Sequence, residues 1–170
     1  MAVISFDKAR GVRQKETTHS KKLEFIIRDF ISRCGHGYYD DELDKGILKN
    51  YFYLNESVSI EQKIIIREND CICYSTLSLT LKLTDKLYDT RLLALLVELN
   101  DINFQLDYGN FEYDMETGDI RFRTSYEPNE GIICSEDLDK FLGYPRFIIN
   151  KYGERIAKAI HVWEECDNAY

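Results

Sequence analysis

The chain has 170 residues, 44% of them hydrophobic and 13% aromatic, and a formal charge of −8. That length fits one ordinary domain, able to bury a core without disulfide or metal support. The acidic balance argues against a nucleic-acid binder, which needs a basic surface to release phosphate counterions, and no apolar run approaches the roughly 20 residues that span a bilayer.

Residues 1–19 read as a basic leader. Lys8, Arg10, Arg13, Lys15, Lys21 and Lys22 against Asp7 and Glu16 give residues 1–22 a charge of +4 and leave −12 for the rest. A recognition arm and a solvated, poorly ordered leader both fit that pattern. "MAVISFDKARGVRQK" lacks the apolar core of a signal peptide. The five cysteines are odd in number and spread over the expected helices and strands, so they do not form a secreted disulfide framework. The expected setting is the cytoplasm, with reduced thiols. With two prolines and no repeat or low-complexity tract, residues 20–170 are expected to form a single domain.

In chain order, "SKKLEFIIRDFISRCGHG" places Leu23, Ile26, Ile27, Phe30, Ile31 and Cys34 on one helical face, stopped by Gly35 and Gly37. After an acidic loop, "YYDDELDKG", three β-rich runs follow as a meander: "ILKNYFYLN", "VSIEQKIIIR" and "CICYSTLSLTLKL". In the third, Cys71, Cys73, Ser75, Leu77, Leu79, Leu81 and Leu83 share one face, the alternation of an antiparallel sheet with one side buried. "DKLYDTRLLALLVELN" is a second helix with Leu92, Leu95, Leu96 and Leu99 as its stripe, while Leu93, Ala94 and Val97 extend apolar surface to the other side. One side belongs to this domain's sheet; the other is covered either by more of the chain or by a second subunit. Leu92, Leu93, Leu96 and Val97 are thus the expected dimer or partner face.

A long hairpin comes next. Phe104, Leu106 and Tyr108 keep one phase and Phe111, Tyr113 and Met115 the other, which predicts a bulge at Gly109–Asn110. On the return strand Ile120, Phe122, Thr124 and Tyr126 alternate with Asp119, Arg121, Arg123 and Ser125, so acids on one strand can face arginines on the other. The last helix should start at Ser135 as N-cap, with Glu136 and Asp137 in its first turn, and kink or break at Pro145.

Four places invite a site. An EF-hand loop counted from Asp114 puts Asp119 where the turn glycine belongs and Ser125 where the bidentate glutamate is needed, so "METGD" reads as a tight turn around Gly118. Cys71 and Cys73 share the inward face of a leucine-rich strand and read as core, with no second Cys/His pair at zinc spacing. Cys34 and His36 sit at a helix C-terminus, where the dipole disfavours a thiolate. The many carboxylates single out no acid–base pair. No cofactor is expected.

The order α-β-β-β-α-β-β-α, with "LVELNDINFQLDYGNFEYDMETGDIRFRTSYEP", resembles the YbjN family of bacterial proteins. Leu99 and Asn100 ending the middle helix, Gly109 before Phe111, the Asp114–Gly118 turn and the Arg121-Phe122-Arg123 strand carry the resemblance, which covers residues 20–162 and is specific over 96–128. It implies an α+β fold like that of type III secretion chaperones, a five-stranded antiparallel sheet packed against helices and often paired as a homodimer. Family members are labelled sensory transduction regulators, a label that brings no catalytic residues. The expected function is a non-enzymatic module that binds a protein or peptide, chaperone-like or regulatory. The alternative is a small-ligand binder or enzyme whose polar groups converge only in three dimensions, in a deep pocket.

Overall fold

A computed structural model describes residues 21–33, 38–42, 46–54, 59–67, 69–80, 90–128 and 134–161. The expected leader, the Cys34/His36 couple and Leu81 and Leu83 lie outside them. Helix α1 covers residues 21–33. It is followed by strands β1 (Tyr38–Glu42), β2 (Ile47–Tyr53), β3 (Ser59–Ile66) and β4 (Cys71–Thr80), and then by helix α2 (Thr90–Phe104). Strands β5 (Asn110–Tyr113) and β6 (Asp119–Tyr126) and a helical run with three parts complete the fold: α3 (Ser135–Leu138), a π-helical turn (Asp139–Gly143) and α4 (Tyr144–His161). The strands form one antiparallel sheet in the order β1-β2-β3-β4-β6-β5.

Alternation decides which side of the sheet is covered. Leu48 and Phe52, Ile60 and Ile64, Cys71, Cys73 and Leu77, and Ile120, Phe122 and Tyr126 are all buried, and on each strand they share one parity. The helices cover that face in two groups. Leu23, Ile27 and Ile31 of α1 pack with Leu138, Phe141 and Leu142 over one end of the strands. Leu95, Leu99 and Ile102 of α2 pack with Ile148, Ile149, Tyr152, Ile156 and Ile160 of α4 over the other. Each fully buried aliphatic or aromatic side chain contributes about 1.5–3 kcal/mol.

Between the two cores the same inward positions turn polar. Asn50, Gln62 and Ser75 form a row across β2, β3 and β4, and Thr124 lies one inward step away on β6, opposite Cys73; all four are buried. Asn50 is paired with Gln62 and Gln62 with Ser75 across the ladder. Asn50 Nδ2 donates to Gln62 Oε1 at 2.8 Å, and Gln62 Nε2 donates to Ser75 Oγ at 3.1 Å and to the Leu142 carbonyl at 2.9 Å. Thr124 Oγ1 donates to the Phe141 carbonyl at 2.7 Å.

The helix break explains why the row is there. Pro145 has no N–H, so the Phe141 carbonyl four residues back lacks the donor an α-helix would supply. The backbone widens just before the proline, where Tyr144 N–H reaches the Asp139 carbonyl five residues back. Side chains from the sheet then meet the Phe141 and Leu142 carbonyls. The interruption expected at Pro145 therefore takes the form of a π-helical turn.

Several expectations need correction. The acidic "YYDDE" of the expected loop is strand β1, an edge strand joined to β2 through an irregular register between Asp40 and Glu42. The sheet thus has six strands instead of five. Its charged residues hid it from a search for apolar alternation, and charge on an edge also discourages pairing between molecules. Helix α2 runs on to Phe104, because Ile102 continues the inward stripe of Leu95 and Leu99. Phe104 therefore leaves the hairpin. No bulge forms at Gly109–Asn110: the β5–β6 register is continuous from Asn110↔Arg123 to Tyr113↔Ile120. Gly109 instead turns the chain into β5 at φ 72°, where a Cβ would lie 2.6 Å from the Phe122 ring. Ser135 is the first helical residue of α3; the N-cap is Cys134, extended and without a side-chain cap bond.

Candidate functional site

The hairpin acids are committed to the hairpin itself. Asp114 Oδ1 accepts from the Glu116 amide at 2.9 Å and the Thr117 amide at 3.3 Å, and the Gly118 amide donates to the Asp114 carbonyl at 2.8 Å. Gly118 takes φ 80°, as the tight turn requires. Behind the turn Arg121 bridges Glu112 and Asp114, both at 3.2 Å, and Arg123 reaches Glu112 at 3.4 Å. These are the cross-strand pairs the alternation predicts. Arg121 also stacks on Tyr74, 4.5 Å from the ring centroid, on the polar face of the sheet.

Cys71 and Cys73 are core, whereas Cys134 is exposed. Burial pushes Cys71 and Cys73 up to about 12, with Asp70 adding to the effect at Cys71 and the Ser75 and Thr124 hydroxyls opposing it at Cys73. A thiol so disfavoured as thiolate is no nucleophile at neutral pH. Burial likewise pushes Tyr108 up to about 12, and its hydroxyl donates to the Ser125 carbonyl at 2.6 Å, tying the turn after α2 to β6.

Two places remain. The first is the outer face of α2. Leu93 is 65% exposed, Val97 60% and Phe104 92%, and Leu96 is exposed beside them. With Asn100, also exposed, they recur at i, i+3, i+4, i+7 and i+11, a continuous stripe without charge. Leu92, expected on this face, is 7% exposed and points with Leu95 and Leu99 into the core. Leu96, which the sequence puts in both the helical stripe and the expected partner face, lies on the outer face. Phe104 was missed because its alternation with Leu106 and Tyr108 mimicked a strand.

The second is a cleft of about 140 Å³ where α1, β2, β3 and the helix break meet. Phe30, Ile31, Phe52 and Leu142 give it apolar walls, Asn50 and Gln62 a polar floor, and Asp139 and Arg146 stand at its rim beside Gly143. Beneath the cleft Asn50 Oδ1 is buried without a hydrogen-bond partner and without accessible surface. These residues were not singled out from the sequence. The signal was present nonetheless: Asn50 and Gln62 occupy inward positions between apolar neighbours, a conflict that marks a structural or functional need.

Among the described residues no helix is long and apolar enough to cross a membrane. No family model matches the chain, and no curated protein is significantly similar to it.

Proposed function

We propose that this chain is a non-enzymatic cytoplasmic module that pairs with a second copy through the outer face of α2 and, so paired, binds a protein or peptide partner in a chaperone-like or regulatory role. The observation that carries the proposal is the uncharged stripe of Leu93, Leu96, Val97, Asn100 and Phe104, open to solvent along the length of α2. Covering a leucine or valine fully is worth about 1.5–3 kcal/mol, and a contiguous exposed apolar patch marks an interaction surface.

A second copy suits this stripe better than a charged partner does. The chain carries −8 overall, so two copies repel except where charge is absent, and the stripe is such a place. A two-fold axis between Leu96 and Val97 sets two α2 helices antiparallel, with Leu93 of each copy facing Asn100 of the other, a self-complementary contact. The YbjN likeness, with its type III secretion chaperone-like arrangement and homodimers, agrees with this proposal. It rests on the residues quoted from 96–128, and the added strand β1 is a departure from it.

Fluorescence tests the pairing. With Leu93→Trp in a Trp163→Phe background, Trp163 being the native tryptophan, emission should be blue-shifted at high concentration and move to the red on dilution. Emission typical of full solvent exposure at every concentration would overturn the proposal.

A further inference from the structure

We propose that the open face of the sheet binds an extended acidic peptide, laid across the strands along a row of cationic side chains. The proposal rests on the reading of this chain as a peptide-binding module, but not on pairing through α2, so the two are tested apart.

The ladder register builds the row. The helices pack on the inward positions of the strands, and the alternate positions form the opposite face. On that face Lys49 stands opposite Lys63, Lys63 opposite Tyr74, and Tyr74 opposite Arg123. Neighbouring strands lie about 4.8 Å apart, so from β2 through β3 and β4 to β6 the row is about 14 Å long. Lys63 is exposed, and Lys49, Tyr74 and Arg123 are half-buried.

The rows on either side have a different character. On one side the charges answer one another: the Tyr51 hydroxyl donates to Glu61 at 2.8 Å, and Arg121 lies against Tyr74 while bridging Glu112 and Asp114. On the other side Ile47, Ile65 and Ile72 stand opposite one another. In the row between them like charges meet, because Lys49 and Lys63 form a directly opposed pair. That arrangement costs stability in the free protein, and an anion lying over the pair relieves it. Lys63 has no ion pair with another described residue. Arg123 reaches Glu112 at 3.4 Å and shares that carboxylate with Arg121.

The surroundings of the row narrow the class of anion. The chain carries −8 overall, and exposed charges more than about 8 Å apart are screened at physiological salt. The row therefore acts on a ligand in contact with it, not by long-range steering. A single-stranded nucleic acid needs free aromatic faces for its bases and a basic groove for its backbone. Here Arg121 already lies over the Tyr74 ring, 4.5 Å from its centroid, and Glu61 and Glu112 stand in the next row. An extended peptide is narrow enough for a single row. Its alternate side chains share one face, so acids at i, i+2 and i+4 span about 13 Å, close to the length of the row. Ile47 and Ile65, half-buried beside it, offer apolar contact to the flank of the peptide.

Fluorescence anisotropy on the full chain tests this assignment with labelled peptides of roughly ten residues, long enough to cross the row. In one, glutamate alternates with serine; in a second, lysine alternates with serine; in a third, the same glutamates are gathered in a block. The alternating glutamate peptide should bind saturably and weaken with added salt, with the block peptide at least about threefold weaker and the lysine peptide unbound. Lys63→Glu should weaken binding about tenfold or more without lowering the melting temperature of the free protein, since glutamate then stands opposite Lys49. Lys140→Glu, the same charge change at an exposed position of the π-helical turn, should leave binding unchanged. Binding that Lys63→Glu leaves intact, or that Lys140→Glu weakens as much, overturns the proposal; so do equal binding of the block peptide and tighter binding of a single-stranded oligonucleotide of the same charge. Binding of the lysine peptide in place of the glutamate one overturns this proposal alone, whereas no binding by any of these peptides overturns it and counts against the peptide-binding reading as well.

Discussion

Phe141 and Thr124 show how one missing N–H propagates through the molecule. If the Thr124 hydroxyl replaces the donor that Pro145 lacks, Thr124→Val, which keeps the shape, should destabilise the fold by about 1–3 kcal/mol. In a Pro145→Ala background, where residue 145 regains an amide, the same change should cost less. Equal costs in both backgrounds, measured by urea denaturation, would refute the coupling. Gly109 is the second sensitive residue. At φ 72°, with Phe122 and the Arg123 carbonyl inside 3 Å of any Cβ, Gly109→Ala should cost at least about 1–3 kcal/mol, read by the same method. Titration supplies a third outcome. Cys71 and Cys73 rise from 9.0 to about 12 on folding and Tyr108 from 10.0 to about 12. The folded state therefore binds more protons between these values. Stability is fully present below about pH 9 and is lost as pH rises through 12, at up to about 1.4 kcal/mol per pH unit for each buried thiol, the partly exposed Tyr108 contributing less because solvent screens it. Replacing Cys71 and Cys73 together by alanine should flatten that loss; an unchanged alkaline unfolding profile would contradict the assignment to the thiols.

Elements with a single strong period were legible in the sequence. The meander of β2, β3 and β4 and the return strand β6 followed from alternation, because each has one buried face. Elements whose reason lies elsewhere were not. Strand β1 forms because β2 offers an unpaired edge, a fact no local pattern carries. The end of α2 was misplaced because Phe104, Leu106 and Tyr108 satisfy period two by accident, whereas the helix is extended by Ile102 in the core. Asn103 marks the true junction: its amide donates to the Phe111 carbonyl at 2.9 Å and accepts from the Phe111 amide at 2.7 Å, standing in for a neighbouring strand at the β5 edge. Asn103→Leu removes both bonds and should cost about 1–3 kcal/mol while leaving that edge open, which hydrogen exchange at Phe111 would register as lost protection.

At the scale of the whole molecule, one sheet face carries two hydrophobic cores separated by a polar row, and α2, packed over it, leaves a continuous apolar stripe facing outward. The row was hidden in plain sequence, since Asn50, Gln62 and Ser75 each look like single exceptions until the ladder aligns them, with Thr124 one inward step away on β6. Which face of α2 stays open was half legible: its apolar width was visible, but the assignment of Leu92 and Leu96 to opposite sides needed the core to fix the helix rotation. Pairing through that face is the central claim, and light scattering on the wild-type chain beside Leu93→Glu and Val97→Glu variants tests it most directly. A wild-type dimer that both variants split into folded monomers is the predicted result. A wild-type monomer at all accessible concentrations, or a dimer that survives both substitutions, would contradict it.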